Sequence, residues 1–190
     1  MCGRYYIEID KEELEEICKQ VQQNIAGDEQ LSFNMESGEV FPTNIVPVRV
    51  GDSEYKAMKW GFTGFDGKPI INARSETATE KPTFKKPMQT GRCLIPASGY
   101  YEWQKVGTKK QKYSFLLPEN KTMYMAGCYR VEEGSSLYRF VILTRAASTI
   151  LKEIHERMPV IIPVWKIHDW LDNGSDTMNH SIGDLAFQKA

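Results

Sequence analysis

The chain has 190 residues, within the size range of one domain, and its 24 basic and 25 acidic residues give a net charge of −1. This balance excludes a strongly basic nucleic-acid coat protein. It leaves room for a local basic cleft, because the field in a cleft depends on where the charges lie. Hydrophobic residues make up 41% of the chain, which is too many for a disordered protein and enough for a packed core.

Targeting and metal-binding signals are missing from the sequence. Charges at Arg4 and Glu8 leave no room for a secretory apolar segment, and no apolar run is long enough to span a membrane. The four cysteines are widely spaced, and the three histidines have no zinc-ligand spacing with them. We therefore expect a cytoplasmic protein, associated with the nucleoid if bacterial, with reduced cysteines, no metal and no membrane partner.

The N-terminal region predicts a strand followed by a helix. Residues 3–9 read as the strand, and Asp10 begins the helix with Glu13 three positions later, as in a capping box. Apolar residues then recur at helical spacing, which predicts one stripe facing the core. These residues are Leu14, Ile17 and Val21.

The remainder predicts mainly strands. They cover residues 41–50, 55–60, 92–104, 112–117, 122–131, 138–144 and 159–163. A bend at Pro96–Gly99 interrupts the run at 92–104, and residues 63–72 have loop composition. Helices are predicted over 146–155 and 164–171, the second ending at Asn173–Gly174. Together these elements predict a single domain over 1–190 of the α+β class. Its main component is expected to be an antiparallel, curved, barrel-like sheet with flanking helices.

Cys2 is the most unusual residue, because removal of Met1 would make it the first residue of the chain. An N-terminal cysteine carries an amine and a thiol on adjacent carbons, and both are usable nucleophiles near neutral pH. Together they condense with an aldehyde, first to an imine and then to a five-membered thiazolidine ring. Arg4 nearby is expected to favour the thiolate. The alternative is an incidental buried cysteine.

Three further segments carry candidate catalytic groups. Asn72 and Arg74 lie two positions apart, so on an extended segment both would face one cleft; the alternative is a helix start capped by Ser75. Glu102 lies among aromatic residues, where a carboxyl group suits general acid–base catalysis, unless strand alternation points it into solvent. His155 follows a predicted helix and is a usable proton carrier; the alternative is a histidine that interacts only with the helix dipole.

Arginines and aromatic residues adjoin these candidates. The arginines are Arg4, Arg74 and Arg157, and the aromatic residues are Trp60, Phe62, Phe65 and Trp103. Around one cleft, such residues suit single-stranded nucleic acid, because arginines neutralise phosphates and bases stack on the rings. The alternative is that the arginines form internal salt bridges. The lysine run at 107–112 is expected to be a solvated hairpin tip.

Five segments occur in the order found in SRAP (SOS-response-associated peptidase) proteins. They are MCGR at 1–4, WG at 60–61, INARSET at 71–77, RCLIPASGYYEW at 92–103 and H-x-R-M-P at 155–159. The sequence resembles this family from Met1 to about Trp170. The resemblance implies the SRAP fold, a curved barrel-like sheet with a positively charged groove. It also implies recognition of abasic sites in single-stranded DNA, and a covalent cross-link through the N-terminal cysteine.

The resemblance assigns roles residue by residue. Cys2 is the nucleophile, Asn72 holds its amine or the linkage, Glu102 shuttles a proton, and His155 assists as acid or base. Contacts with DNA are implied for Arg4, Pro42, Trp60, Arg74 and Arg157. The implied partners are single-stranded DNA with abasic sites and replication-fork proteins, and no cofactor is implied.

One loop departs from the family pattern. Residues 60–68 are shorter than the corresponding loop of many members and lack its proline and second tryptophan, so Phe62 or Phe65 would have to substitute. The tail after Asn173 matches poorly and receives no role. Two other functions stay open: a thiol autopeptidase or protease with Cys2 and His155 as the catalytic pair, and a DNA-binding module without chemistry.

Overall fold

A computed structural model describes residues 2–9, 12–25, 37–132, 134–172 and 176–190. These residues form two large β-sheets, a short β-hairpin and three α-helices. The predicted helix start at Asp10 and helix end at Asn173–Gly174 lie outside these residues. All pairings within the five-stranded sheet are antiparallel. Its strands, in sheet order, are β14 (Ala186–Lys189), β10 (Lys109–Leu116), β9 (Gly99–Val106), β1 (Tyr5–Ile7) and β2 (Gly38–Val40).

The other large sheet closes on itself. Its strands, in sheet order, are β11 (Met123–Val131), β8 (Arg92–Ala97), β3 (Ile45–Arg49), β4 (Tyr55–Trp60), β12 (Tyr138–Ala146) and β13 (Arg157–Pro159), with β7 (Asn72–Arg74) beside β12. Strand β11 also pairs with β12, which completes the ring, and β4 and β7 run parallel to β12. The prediction of a mainly antiparallel, barrel-like α+β fold is therefore confirmed.

The helices lie outside the sheets. Helix α1 (Glu12–Asn24) buries Leu14, Ile17 and Val21 as predicted. Helix α2 (Pro82–Thr90) is absent from the sequence prediction, because it contains a proline at its first position and another, Pro87, in its interior, where proline is unfavourable. A 3₁₀ turn at Val164–Lys166 leads into α3 (Ile167–Leu171), in agreement with the prediction for 164–171. No helix in the described parts of the chain is both long and apolar enough to cross a membrane.

Two predicted elements are wrong in extent. The predicted helix over 146–155 is only a 3₁₀ turn at Leu151–Glu153, because β12 pairs with β13 as far as Ala146 and the N–H of Ala147 still donates to the carbonyl oxygen of Glu156. The predicted strand at 159–163 gives only the end of β13 and an isolated bridge at Ile161.

The region predicted as loop also contains regular structure. Two short strands, β5 (Phe62–Thr63) and β6 (Pro69–Ile70), form the hairpin across the predicted loop at 63–72. Because β7 is extended, the alternative of a helix start capped by Ser75 is wrong.

The predicted bend in 92–104 joins the two large sheets, because β8 belongs to one and β9 to the other. The backbone N–H of Ser98 donates to the carbonyl oxygen of Tyr6 at 2.9 Å, and its hydroxyl accepts from the N–H of Glu8 at 2.8 Å. A Cβ atom at Gly99 would lie 2.3 Å from the carbonyl oxygen of Phe115, so the bend requires glycine there. This bend sets β9 against the closed sheet.

Trp60 lies within the larger apolar cluster. Its side chain is fully buried, its ring centroid is 5.2 Å from that of Tyr5, and its indole N–H donates to the carbonyl oxygen of Ile71 at 3.0 Å. Phe62 is also fully buried, in the second cluster beside Phe84. The prediction that Trp60 and Phe62 present aromatic faces to a cleft is therefore wrong.

Replacing Trp60 by alanine should destabilise the fold by about 3–5 kcal/mol, because it empties a large buried volume and removes one of the two hydrogen bonds that the Ile71 carbonyl oxygen accepts. Urea denaturation measures the change. Trp165→Ala is the matched control, since that tryptophan is 68% exposed. Its removal should change stability by less than about 0.5 kcal/mol. Equal effects of the two substitutions would contradict the core role of Trp60.

Candidate active site

The candidate catalytic residues meet where the two large sheets join. Cys2 precedes β1 and Glu102 lies in β9, both in the five-stranded sheet. Asn72 begins β7 of the closed sheet, and His155 lies just before β13 of the same sheet. Residues spread over most of the chain therefore come together in one place.

Asn72 holds the backbone of Cys2. Its side-chain amide donates to the Cys2 carbonyl oxygen at 2.9 Å. The amide oxygen of Asn72 is buried and has no hydrogen-bond partner among the described residues, so it remains an acceptor beside the N-terminal segment. The asparagine thus fixes the backbone of Cys2 and retains its amide oxygen as an acceptor for one further hydrogen-bond donor.

The Cys2 thiol is fully buried, and burial is the main reason why its pKa lies far above the ordinary value. The nearby Glu102 carboxylate raises this pKa further, whereas the backbone N–H of Arg4 acts in the opposite direction. The guanidinium of Arg4 forms its ion pair with Glu39. Arg4 therefore lowers the pKa of the thiol only through its backbone N–H, and burial outweighs this effect, so the expected stabilisation of a thiolate by Arg4 does not prevail.

Glu102 supplies a carboxylate close to that thiol. The residue is only 4% exposed, so the alternative of a solvent-facing glutamate is wrong. Strand alternation in β9 places Tyr100, Glu102 and Gln104 on the inner face, while Tyr101 and Trp103 lie on the outer one. The usual apolar-in, polar-out order is inverted at this point of the strand.

His155 faces the same carboxylate. Its Nε2 atom lies 3.8 Å from Oε2 of Glu102. The backbone N–H of Arg157 lies 3.1 Å from Nδ1 of His155 and donates to that nitrogen when it is unprotonated. The carbonyl oxygen of Arg157 lies 3.2 Å from Nδ1 and can accept from the protonated ring. Both protonation states of His155 therefore have a backbone partner.

Gln104 is a residue that sequence reasoning missed. Its side-chain amide donates to the carbonyl oxygen of Glu153 at 2.9 Å, and it accepts from the hydroxyl of Tyr113 at 3.2 Å. These bonds tie the segment that carries His155 to the strand that carries Glu102. The only signal in the sequence is the position of Gln104 two residues after Glu102, on the same face of β9.

Arg157 is engaged in an internal salt bridge. Its guanidinium donates to both carboxylate oxygens of Glu76, at 2.6 and 2.8 Å, and to the carbonyl oxygen of Thr144 at 2.6 Å. The hydrogen bonds from Arg157 are the main reason why the pKa of Glu76 is lowered to about 2. The ion pair therefore stabilises the fold above the unfolded-state pKa of Glu76, and this stabilisation is lost as the pH falls to about 2. For Arg157, the alternative of an internal salt bridge is confirmed.

The other predicted contacts with nucleic acid are arranged differently. Arg74 is exposed, and no described residue forms an ion pair or hydrogen bond with its side chain. Arg4 and Pro42 lie at the five-stranded sheet, where the Arg4 guanidinium stacks 3.7 Å from the ring centroid of Phe41. Phe65 is fully exposed at the tip of the β5–β6 hairpin. The predicted arginines thus separate into an open one, Arg74, and two that form ion pairs with glutamates, Arg4 and Arg157, of which Arg4 also stacks on an aromatic ring.

Comparison with known proteins identifies the family. Residues 1–189 match the family described as SOS response associated peptidase (SRAP), and the chain belongs to that family. It is 38% identical over 110 residues to an abasic site processing protein of Bacillus subtilis, YoqW, covering 56% of this chain and 49% of that protein. It is 35% identical over 116 residues to the abasic site processing protein YedK of Escherichia coli, covering 59% of this chain and 52% of that one. The chain thus spans about half the length of these curated relatives.

The fold is also found among solved structures. A crystal structure of a protein from Bacteroides thetaiotaomicron matches with a TM-score of 0.79 at 21% identity, over 99% of this chain and 91% of that one. In the parts of the chain that the structure describes, no group of three or more histidine, cysteine or acidic side chains is arranged to hold a metal ion.

Arg74→Ala and Arg157→Ala should separate the two kinds of arginine. Loss of the open Arg74 should weaken binding to single-stranded DNA and flatten the slope of log affinity against log salt by about 0.7. Loss of Arg157 should lower the melting temperature and leave that slope unchanged, because its guanidinium already pairs with Glu76. Affinity measured over a salt series and thermal melting of both variants test this. The reverse pattern would show that Arg157 exchanges Glu76 for phosphate.

Proposed function

We propose that the chain, as one SRAP domain over 1–190, senses abasic sites in single-stranded DNA and cross-links to them through Cys2. The observation that carries the proposal is the convergence of Cys2, Asn72, Glu102 and His155 at the sheet junction. Membership of the SRAP family and the relatives' names, abasic site processing proteins, support the part of the proposal that concerns abasic sites. The substrate is the ring-opened aldehyde form of the abasic sugar, which needs no cofactor to react with an amine and a thiol.

The proposed reaction begins with opening of the sugar. Glu102 accepts the proton of the anomeric hydroxyl as the bond from C1′ to the ring oxygen breaks, and that oxygen takes up a proton. The free amine of Cys2 then attacks the C1′ aldehyde, and water leaves to give an imine. Finally the Cys2 sulfur adds to C1′ while the thiol proton passes to the imine nitrogen, which closes a thiazolidine. The net change is loss of one water molecule.

The buried surroundings of the thiol fit this order of events. Because burial raises the pKa of Cys2, a free thiolate is not the starting nucleophile, and proton transfer has to accompany sulfur attack. Glu102 is placed to relay that proton, and His155 Nε2, 3.8 Å from the carboxylate, can take it up or return it. Asn72 holds the Cys2 carbonyl and offers its amide oxygen to the amine or imine N–H.

The chemistry requires a free amine at Cys2, and we include a thiol autopeptidase step in the proposal. In that step the same cluster would hydrolyse the bond that precedes Cys2, a residue whose own carbonyl is fixed by Asn72. Cleavage of other peptides by Cys2 with His155 is the competing enzyme function, and DNA binding without chemistry is the competing binding function.

One incubation distinguishes the three functions. The protein, first shown by intact mass to begin at Cys2, is mixed with a single-stranded oligonucleotide that carries one abasic site. A covalent adduct that survives denaturing electrophoresis supports the proposal. Cleavage of an added peptide without an adduct supports the protease. Retention that is lost with salt and leaves no adduct supports the binding module.

Cys2→Ala should abolish the adduct and leave most non-covalent binding to single-stranded DNA, because the alanine variant lacks the sulfur that closes the ring. Denaturing electrophoresis and a native binding assay measure the two quantities. Cys2→Ser is the companion variant, since it retains the amine together with a weaker nucleophile, the hydroxyl, and should give an imine without a stable ring. A heat-stable adduct with the alanine variant would show that another residue is the nucleophile.

Glu102→Gln should slow adduct formation by roughly 10²–10⁴-fold while weakening DNA binding much less, because the amide is nearly isosteric but cannot carry the proton. Single-turnover rates at saturating DNA give the effect on chemistry. Glu156→Gln is the control, since it removes a carboxylate next to His155 in sequence that has no role in the proposed mechanism. A normal rate of adduct formation in the Glu102→Gln variant would show that Glu102 has no part in proton transfer.

A further inference from the structure

The connection between β12 and β13 carries His155 and has little regular structure. The N–H of Ala147 donates to the carbonyl oxygen of Glu156 at 3.0 Å, which closes the base of this connection. Within its 3₁₀ turn, the N–H of His155 donates to the carbonyl oxygen of Leu151 at 3.1 Å. These bonds fix the shape of the connection but not its distance from β9, the strand that carries Glu102. That distance depends on contacts with other elements.

Gln104 links β9 to the segment before His155. Its side-chain N–H donates to the carbonyl oxygen of Glu153 at 2.9 Å, and its amide oxygen accepts from the hydroxyl of Tyr113 at 3.2 Å. Because Glu102 and Gln104 lie on the same face of β9, the first bond holds the turn beside the carboxylate. In this arrangement Nε2 of His155 lies 3.8 Å from Oε2 of Glu102. The second bond fixes the orientation of the Gln104 amide.

Residues 181–190, called the 181–190 segment below, support Tyr113 from the edge of the five-stranded sheet. Strand β14 lies in this segment and pairs with β10 over all of its residues. The ring centroid of Phe187 is 6.2 Å from that of Tyr113 and 5.8 Å from that of Phe115. Aromatic pairs at such distances attract each other and stabilise one arrangement of the rings. The hydroxyl of Tyr113 is thereby held where Gln104 accepts from it.

The 181–190 segment is also attached to the closed sheet. The N–H of Ile182 donates to the carbonyl oxygen of Ile161 at 2.8 Å, and the guanidinium of Arg145 in β12 donates to the hydroxyl of Ser181. Between this attachment and β14, the segment faces the His155 connection across a pocket of about 280 Å³. Ser148, Ile150 and Leu151 line the pocket on one side, and Gly183–Ala186 on the other. The segment therefore bridges the two large sheets beside the connection that carries the histidine.

We infer that the 181–190 segment positions His155, acting through Tyr113 and Gln104. The segment holds the Tyr113 ring, the Tyr113 hydroxyl orients the Gln104 amide, and this amide holds the turn before His155. Loss of one link should therefore loosen the histidine without unfolding the sheets. The effect on catalysis rests on the proposed function, in which His155 exchanges a proton with Glu102, whereas the positioning rests on these contacts. The sequence gave this part of the chain no role.

Hydrogen exchange of the free protein tests the positioning without any reaction. Gln104→Ala should speed exchange of the Ile154 and His155 amides about fivefold, because both donate to Leu151 within the turn that loses its anchor. Phe187→Ala should speed exchange of the same amides by a smaller factor. Amides of β8, inside the closed sheet, should exchange as in the wild type. Unchanged exchange at Ile154 and His155, or equal acceleration in β8, would overturn the inference.

Gln111→Ala is the matched control for both measurements. Gln111 lies directly opposite Gln104 on β10 and is also half-buried. Its side-chain amide donates to the carbonyl oxygen of Lys112 in its own strand, at 2.9 Å. Its removal should therefore leave both the exchange of the His155 amide and the rate of adduct formation unchanged. An effect as large as that of Gln104→Ala would contradict the inference.

The rate of adduct formation tests the consequence for catalysis. With saturating single-stranded DNA that carries one abasic site, Gln104→Ala should react about tenfold more slowly, while its affinity for an undamaged oligothymidylate stays the same. Gln104→Glu has nearly the same shape but cannot donate to the Glu153 carbonyl, so it should be equally slow. Gln104→Lys retains a donor and should recover most of the rate. Equal losses in the glutamate and lysine variants would overturn the inference.

A double substitution tests the path from the 181–190 segment. Phe187→Ala alone should slow adduct formation about threefold. If Phe187 acts through Gln104, adding Phe187→Ala to Gln104→Ala should slow the reaction no further. Effects that multiply would contradict this path. Failure of the wild type to form any adduct would overturn the proposed function, and the exchange measurement would still decide whether the segment positions the histidine.

Discussion

Burial of the Cys2 thiol between the two large sheets is the constraint on which the account of this protein depends. A thiol in water would ionise near neutral pH and react with many electrophiles, whereas burial raises the pKa of Cys2 and keeps it neutral. The proposed reaction therefore requires a base at the same place. Glu102, itself buried, and His155 beside it meet this requirement only because the two sheets converge there.

Several features of the fold serve that convergence. The bend at Ser98–Gly99 connects a strand of the closed sheet to a strand of the five-stranded sheet. Position 99 requires glycine because a Cβ atom there would collide with the backbone of β10. Trp60 holds the carbonyl oxygen of Ile71, the residue before Asn72. The salt bridge between Glu76 and Arg157 fixes the start of β13, whose backbone orients the His155 ring. Trp60 and Arg157, which the sequence suggested as contacts with nucleic acid, thus position the residues of the candidate site.

Most of the fold could be predicted from the sequence because its strands carry clear hydrophobic patterns and its turns contain glycine and proline. The prediction failed where pairing between distant segments overrides local preference. The apolar spacing of Leu151 and Ile154 resembles a helix, yet β12 takes up residues that such a helix would need. Helix α2 was hidden by its prolines, and β14 forms only because β10 offers it an edge.

The candidate site was predicted in part. Motifs in the sequence indicate Cys2, Asn72, Glu102 and His155, and the structure places these four residues together. What the sequence could not reveal was the partner of each charge. Arg4 and Arg157 look alike in the sequence, but glutamates from distant segments reach them and alter what each can bind. The positioning role of Gln104 likewise depends on a backbone carbonyl that no local pattern reveals.

The chemical structure of the adduct tests the central claim most directly. Protein beginning at Cys2 is allowed to react with abasic single-stranded DNA, treated with borohydride, digested with nuclease and protease, and analysed by mass spectrometry. The proposed thiazolidine predicts that the sugar is attached to the N-terminal Cys2 peptide with loss of one water, and that borohydride adds no hydrogen because the closed ring has no C=N bond. A reduced linkage to a lysine, or a sugar attached through any residue other than Cys2, would contradict it.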